Sequence, residues 1–325
     1  MENNNEEALF RGRSSRSCVR MGCRLYLSNF RRILKSSWIP ALLFAVCNSV
    51  VGTIAVIQYP RLNLNAFVHP QQMPALFDDY LAVFAISALA FLIGGLMEVA
   101  TYSCSFRLLD RHRETSTIPQ PTSFFSFSRQ WAWRSLKGFL STALTAVVIT
   151  AIVALFYYAL LTIINKVGGK VMIPLSLAWI PTLLTLIGLL PPLLYMNTKY
   201  ILDTNVKFWS SAVSSYMVGL RHCGQLIVVL LMAFVIVIIV SSILSFPAIV
   251  VATANFQANI GLLYGDPLGM PSYIIPLTAV VMAFAGFVEV MTRLVVFYTG
   301  YYAYGSIEVQ EEEKKKFNKD IQDTL

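Results

Sequence analysis

Six stretches of the chain are apolar enough and long enough to cross a bilayer as helices, at roughly 38–58, 80–106, 138–164, 173–199, 225–252 and 273–302. A helix needs about 20 residues for one crossing, and each stretch supplies them. Charge interrupts two of the six: Glu98 stands within the second, and Glu289 with Arg293 within the sixth. The odd-numbered spans are each preceded by an amphipathic stretch. From Tyr26 to Lys35 the apolar residues recur at i, i+4, i+7 and i+8. Phe127, Trp131 and Leu136 share one side of the segment from Phe124 to Lys137. In the third, Phe208, Trp209, Ala212, Val213, Tyr216, Met217 and Leu220 lie opposite Ser210, Ser211, Ser214 and Ser215. Such faces predict helices lying in the membrane interface. Pro191 and Pro192 predict a kink or break in span four, and Pro247 predicts a bend near the end of span five.

Lys and Arg decide orientation. Arg11, Arg13, Arg16, Arg20, Arg24, Arg31, Arg32 and Lys35 precede the first span. Arg107, Arg111, Arg113, Arg129, Arg134 and Lys137 lie between spans two and three, and Lys199, Lys207 and Arg221 between four and five. The opposite connections hold only Arg61, Lys166 and Lys170. The positive-inside rule then places both termini and the even-numbered connections in the cytoplasm, which favours an even number of spans. The organisation expected is a basic N-terminal segment over 1–24, a six-helix all-α membrane domain over 25–305 and a charged tail over 306–325. That tail, with its Glu311 to Lys316 charge run, reads as a solvated helical extension or a disordered end.

Composition agrees with the pattern. Of 325 residues, 56% are hydrophobic and 13% charged, with a mean hydropathy of +0.63, far from the charge content of a soluble domain. The formal net charge of +8 sits beside apolar spans, so it points to anionic lipid headgroups as partner and not to nucleic acid. Arg31, Arg32, Lys35, Arg129, Arg134, Lys137 and Arg221 are the candidate headgroup contacts. Trp38, Trp131, Trp133, Trp179, Trp209, Tyr298, Tyr301, Tyr302 and Tyr304 are expected as interfacial anchors. Cys18, Cys23, Cys47, Cys104 and Cys223 form no CxxC pair, which argues against a disulfide framework or a zinc site.

The local letters repeat. Arg32-Ile33-Leu34-Lys35 matches Arg134-Ser135-Leu136-Lys137, and Gly95 to Thr101 matches Gly286 to Thr292, bringing Glu98 and Glu289 into register. Span four carries Gly188-Leu189-Leu190-Pro191 at the same place. Three units follow, each an interfacial helix and a transmembrane hairpin. This layout, over roughly 20–305, resembles the six-helix membrane domain joined to some bacterial glycerophosphodiester phosphodiesterases and its stand-alone relatives. The resemblance implies a bacterial inner-membrane location; it does not carry over the phosphodiesterase activity, since six spans leave no room for that barrel. No N-x-[ST] acceptor falls in the outer loops, at about 59–79 and 253–272.

Chemistry narrows to one cluster. Ionisable groups inside a span usually face the bundle interior and find partners. Glu289 and Arg293 can pair at i, i+4, while Glu98 has Tyr102 one turn on and looks to Arg293 across helices. The four residues form either an ion-coupled or headgroup site or a salt bridge that fixes helix packing. His69, His112 and His222 form no metal or catalytic pair, and neither a GxSxG elbow nor a Walker loop is present. Neither a cofactor, a metal nor an enzymatic activity is expected. The leading expectation is a lipid-engaging or membrane-assembly component, and the alternative a small carrier using the Glu/Arg cluster.

Overall fold

The computed structural model describes residues 8–68, 73–118, 128–166, 179–203, 207–264, 271 and 273–324. Among these every regular element is an α-helix: α1 Ser15–Ser28, α2 Phe30–Val68, α3 Met73–Thr115, α4 Arg129–Lys166, α5 Trp179–Leu189, α6 Pro191–Leu202, α7 Phe208–Arg221, α8 Cys223–Leu244, α9 Phe246–Leu263 and α10 Ile274–Thr324. Five of them, α2, α3, α4, α8 and α10, are long and apolar enough to cross a membrane.

Local chemistry explains several boundaries that differ from expectation. The Oγ of Ser14 accepts from the Ser17 N–H and caps α1, so the helix begins eleven residues earlier than the stretch starting at Tyr26. Asn29 then breaks the path: its Nδ2 donates to the Leu25 carbonyl at 3.1 Å, and α2 restarts at Phe30. The stretch from Tyr26 to Lys35 therefore straddles a joint. Arg129 to Lys137 forms the first turns of α4 and no separate helix, the ladder running unbroken through Ser135 and Gly138. Residues 119–127 lie outside the described residues.

The expected fourth span is divided at Leu190, whose φ of −80° and ψ of −37° remain helical. Pro191 and Pro192 lack N–H donors, so the hydrogen-bond ladder lapses while the chain direction persists. In the fifth, α8 ends at Leu244 and α9 begins at Phe246, one residue ahead of Pro247. Helix also extends into both stretches expected as outer loops, since α2 runs to Val68, α3 begins at Met73 and α9 reaches Leu263. The tail is helical to Thr324.

The long helices change character along their length. On α3, Leu81, Leu89, Phe91, Leu92 and Leu96 are exposed, whereas every residue from Val99 to Phe106 is buried. On α10, Ile275, Leu277, Val280 and Phe284 are exposed, and every residue from Tyr298 to Ile307 is buried. The outward apolar halves suit hydrocarbon. Burial of Thr101, Ser103 and Thr299 is tolerated because their hydroxyls donate to carbonyls of the preceding turn.

That buried half is built with α1, which lies antiparallel on α10. Gly22 meets the Thr299 backbone so closely that a Cβ would stand 2.6 Å from its Cα. Tyr26 Oη donates to the Met291 carbonyl at 2.8 Å, and Arg13 N to Ser306 Oγ at 2.9 Å. Two expected boundaries move accordingly. The segment 1–24 contributes Cys18, Val19, Met21 and Gly22 to the core, and the core continues past 305 through Ser306 and Ile307, both fully buried. Tyr298, Tyr301, Tyr302, Tyr304 and Trp131 are also core residues and not interfacial anchors. Of the expected anchors, Trp38, Trp133 and Trp209 are exposed.

Contacts gather several chain segments at one end. Arg32 donates to the Ile118 carbonyl, Arg113 to Leu202, Arg134 to Asp203, and His222 pairs with Glu311 at 2.8 Å. Arg113 also stacks over the Phe10 ring. The N-terminal segment, the end of α3 through Ile118, the end of α6 through Asp203, the α7–α8 joint and the α10 extension thus share that end.

Candidate functional site

Arg293 stands between two carboxylates. Its Nη1 donates to Glu98 Oε1 at 2.6 Å, and its Nη2 donates to Glu289 Oε1, one turn earlier on α10. Tyr102 Oη donates to the same Glu98 oxygen. The structure therefore brings together all four residues of the predicted cluster. Glu98 is 12% exposed, while Arg293 and Glu289 are near 40%, so the cluster is buried on its α3 side. It lies where α3 passes from its outward apolar half to its buried half, which explains how charge is accommodated there. Next to it, Ser241 of α8 and Thr292 of α10 share a hydrogen bond of 2.8 Å. A polar layer thereby ties α3, α10 and α8 together.

Beside this layer lies an apolar cavity of about 510 Å3, bounded by α3, α4, α5, α6, α8 and α10. Tyr102 and Phe297, with ring centroids 4.5 Å apart, form the wall on the cluster's side. Leu186, Leu194, Ile227 and Phe234 are typical of the remainder. Polar atoms are few and mostly engaged: Asn197 Nδ2 donates to Thr142 Oγ1 at 2.8 Å and to the Gly138 carbonyl at 3.2 Å. Ser135, 5% exposed, and Thr198, 2% exposed, also line it, and the Ser135 Oγ is buried away from the cavity surface with no hydrogen-bond partner among the described residues. A buried hydroxyl without a partner carries a desolvation cost of about 1–3 kcal/mol. Ser135 stood out in the sequence only as part of the local repeat; the cavity needs six helices to exist, which no local pattern announces.

The predicted headgroup contacts separate into two groups. Arg134 is 9% exposed and turned inward, donating to the Tyr200 and Asp203 carbonyls and stacking on the Tyr200 ring at 4.2 Å. It satisfies the open carbonyls at the end of α6, where a cation is favoured. Arg32 is spent on Asn29 Oδ1 at 3.2 Å and the Ile118 carbonyl. Neither guanidinium is available to lipid. Lys137 lies over the Trp133 ring at 5.4 Å, and Arg31, Lys35, Arg129 and Arg221 are exposed.

Some polar pairs had no clear sequence signal. Glu308 receives Lys199 Nζ at 2.6 Å and Tyr195 Oη at 2.7 Å, joining α10 to α6. His222 holds the Glu311 carboxyl below its ordinary range through their hydrogen bond. Burial pushes the Cys18 thiol up to about 11. No disulfide joins the five cysteines, and no group of three His, Cys, Asp or Glu among the described residues could hold a metal. No family model, curated protein or solved structure matches this chain.

Proposed function

We propose that the chain is a six-span inner-membrane protein that engages lipid, with the gathered, cation-rich end in the cytoplasm. The sixth crossing is α5 and α6 taken together, 179–202, which keep helical direction through Leu190. The hairpin arrangement, and with it the kinship to the phosphodiesterase-linked membrane domain, belongs to the same proposal. One observation carries the lipid reading: the 510 Å3 cavity has almost wholly apolar walls, the profile of a site for an acyl chain.

The Glu98, Glu289 and Arg293 cluster is read as a packing clamp. Arg293 is already shared by both carboxylates, which leaves a carrier no vacant cation for its substrate.

Native mass spectrometry of the full chain released from mild detergent tests the cavity. The wild type is expected to keep at least one phospholipid. Ile227→Trp, which fills the cavity from α8, should keep one fewer. An Ile227→Trp protein that is folded and retains the same lipids would refute the cavity as the seat.

A further inference from the structure

Three arginines on α1 have no role in the packing described above. Arg16, Arg20 and Arg24 recur at i, i+4 and i+8, so they form one row along the helix, and all three are exposed. Among the described residues none of them makes an ion pair, hydrogen bond or ring contact. The basic residues flanking this helix differ: Arg13, just before it, is tied to the Leu9 carbonyl and stacked on Tyr302, and Arg32, on α2, is tied to Ile118. The row is therefore a set of free cations in a fixed line roughly 12 Å long.

The row borders a groove. Between α1 and α8 runs an open channel of about 990 Å3. Its α1 side carries Arg16, Arg20, Arg24 and the 70% exposed Leu27. The α8 side is Val228, Leu231, Met232 and Val235, each at least 37% exposed. These belong to a helix long and apolar enough to cross the membrane. The opposite face of α1, with Cys18, Gly22 and Tyr26, is anchored on α10, so the row cannot turn inward to find partners.

We propose that this groove is a binding site for an anionic phospholipid, with the phosphate on the Arg16, Arg20 and Arg24 row and an acyl chain along Val228 to Val235. Charge complementarity selects the headgroup. Guanidinium binds phosphate in a bidentate manner, and its weak hydration lowers the cost of leaving water. The apolar side selects a lipid over a soluble phosphate, because a free anion would leave the exposed α8 surface uncovered. Anchoring of α1 at Gly22 keeps the two halves at a fixed distance, so little ordering is needed on binding. The site is separate from the cavity beside Tyr102 and Phe297, although Leu231 of α8 lines both. It rests on the membrane reading of the chain and not on the cavity being filled.

The test uses the full chain in a neutral detergent, with dioleoylphosphatidylglycerol and dioleoylphosphatidylcholine as probes and lipid retention read by native mass spectrometry. The wild type should retain phosphatidylglycerol in preference to phosphatidylcholine. Arg16→Gln/Arg20→Gln/Arg24→Gln should weaken phosphatidylglycerol retention by about tenfold or more, leaving phosphatidylcholine unchanged, since each cation near an anionic surface is worth about a factor of five. Lys315→Gln/Lys316→Gln/Lys319→Gln removes the same charge from exposed positions on the α10 extension and should change little. Val235→Trp keeps the cations but blocks the channel, and should also release phosphatidylglycerol. Equal loss in both triple variants, or none in the first, would overturn the site. So would displacement of the lipid by millimolar glycerol phosphate, which would mean an anion site without the groove. Failure here with lipid still displaced by Ile227→Trp would leave the cavity reading standing, and the reverse outcome would leave this one.

Discussion

A single guanidinium neutralises two carboxylates, and they are unequally buried. Removing Arg293 strands Glu98, 12% exposed, without a counter-charge, whereas removing Glu289 takes away a partner that is 39% exposed. Breaking a buried pair costs about 3–5 kcal/mol, and an exposed one under about 1 kcal/mol. Arg293→Gln is therefore expected to lower the unfolding midpoint in detergent much more than Glu289→Gln. Adding Glu98→Gln to Arg293→Gln should restore part of the loss. Equal effects of the two single variants would contradict the clamp. Glu311 offers a second check, through pH. His222 holds its folded pKa below the ordinary 4.5, so the stability it contributes is full above that value and is lost as pH falls through the depressed one. Acid titration of wild type and Glu311→Gln should show curves that are apart at pH 6 and converge as the pH falls through the depressed value. A gap that persists into strong acid would mean the carboxylate contributes through something other than its charge.

Between elements, two glycines mark close approaches of different kinds. A Cβ on Gly22 would meet the Cα and N of Thr299, backbone that cannot move without shifting α10. A Cβ on Gly286 would meet Asn48, whose amide can rotate away at the cost of its 3.2 Å hydrogen bond to the Met282 carbonyl but whose Cβ, 2.8 Å off, moves only with α2. Gly22→Ala should thus reach the upper part of the 1–3 kcal/mol range for overpacking, and Gly286→Ala at least its lower part. The Cys18 thiol reports the difference. Buried and raised to about 11, it should resist maleimide at pH 7.5 in the wild type and in Gly286→Ala, and become reactive in Gly22→Ala as α1 lifts from α10. Unchanged protection in Gly22→Ala would show that the approach is looser than these distances require. Hydrophobic periodicity reveals that α1 has a face, but not that the face meets protein. The same letters, Tyr26 to Lys35, suit an interfacial helix, and only the Asn29 hydrogen bond to Leu25 places the joint in their middle.

At the scale of the whole molecule, the features legible beforehand are those set by short-range physics. Apolar length marked five helices that are able to span, and the Pro191-Pro192 pair marked the interruption at Leu190. Ionisable residues in apolar surroundings marked Glu98, Glu289 and Arg293, because their isolation is visible without a fold. What stayed hidden depends on partners distant in sequence. Tyr298, Tyr301 and Tyr302 look like interfacial anchors until α1 and α3 cover them, with His112 Nδ1 at 3.1 Å from Tyr301 Oη. Arg134 looks like a headgroup contact until α6 ends beneath it. Contacts from Phe10, Ile118, Asp203, His222 and Glu311 converge at one end, and this convergence yields the most general prediction. In a background lacking the five native thiols, single cysteines at Glu114, Lys207 and Phe317 should all be shielded from an impermeant maleimide in intact cells and labelled once the membrane is opened. A cysteine at Tyr264, 88% exposed after α9, should label from outside without disruption. The three shielded positions lie in separate stretches of chain, on α3, just before α7 and on the α10 extension, so they test the gathered end as a unit. Opposite behaviour of Glu114 and Lys207 would require an odd number of crossings between them, and α4 with the α5–α6 pair could not then both span.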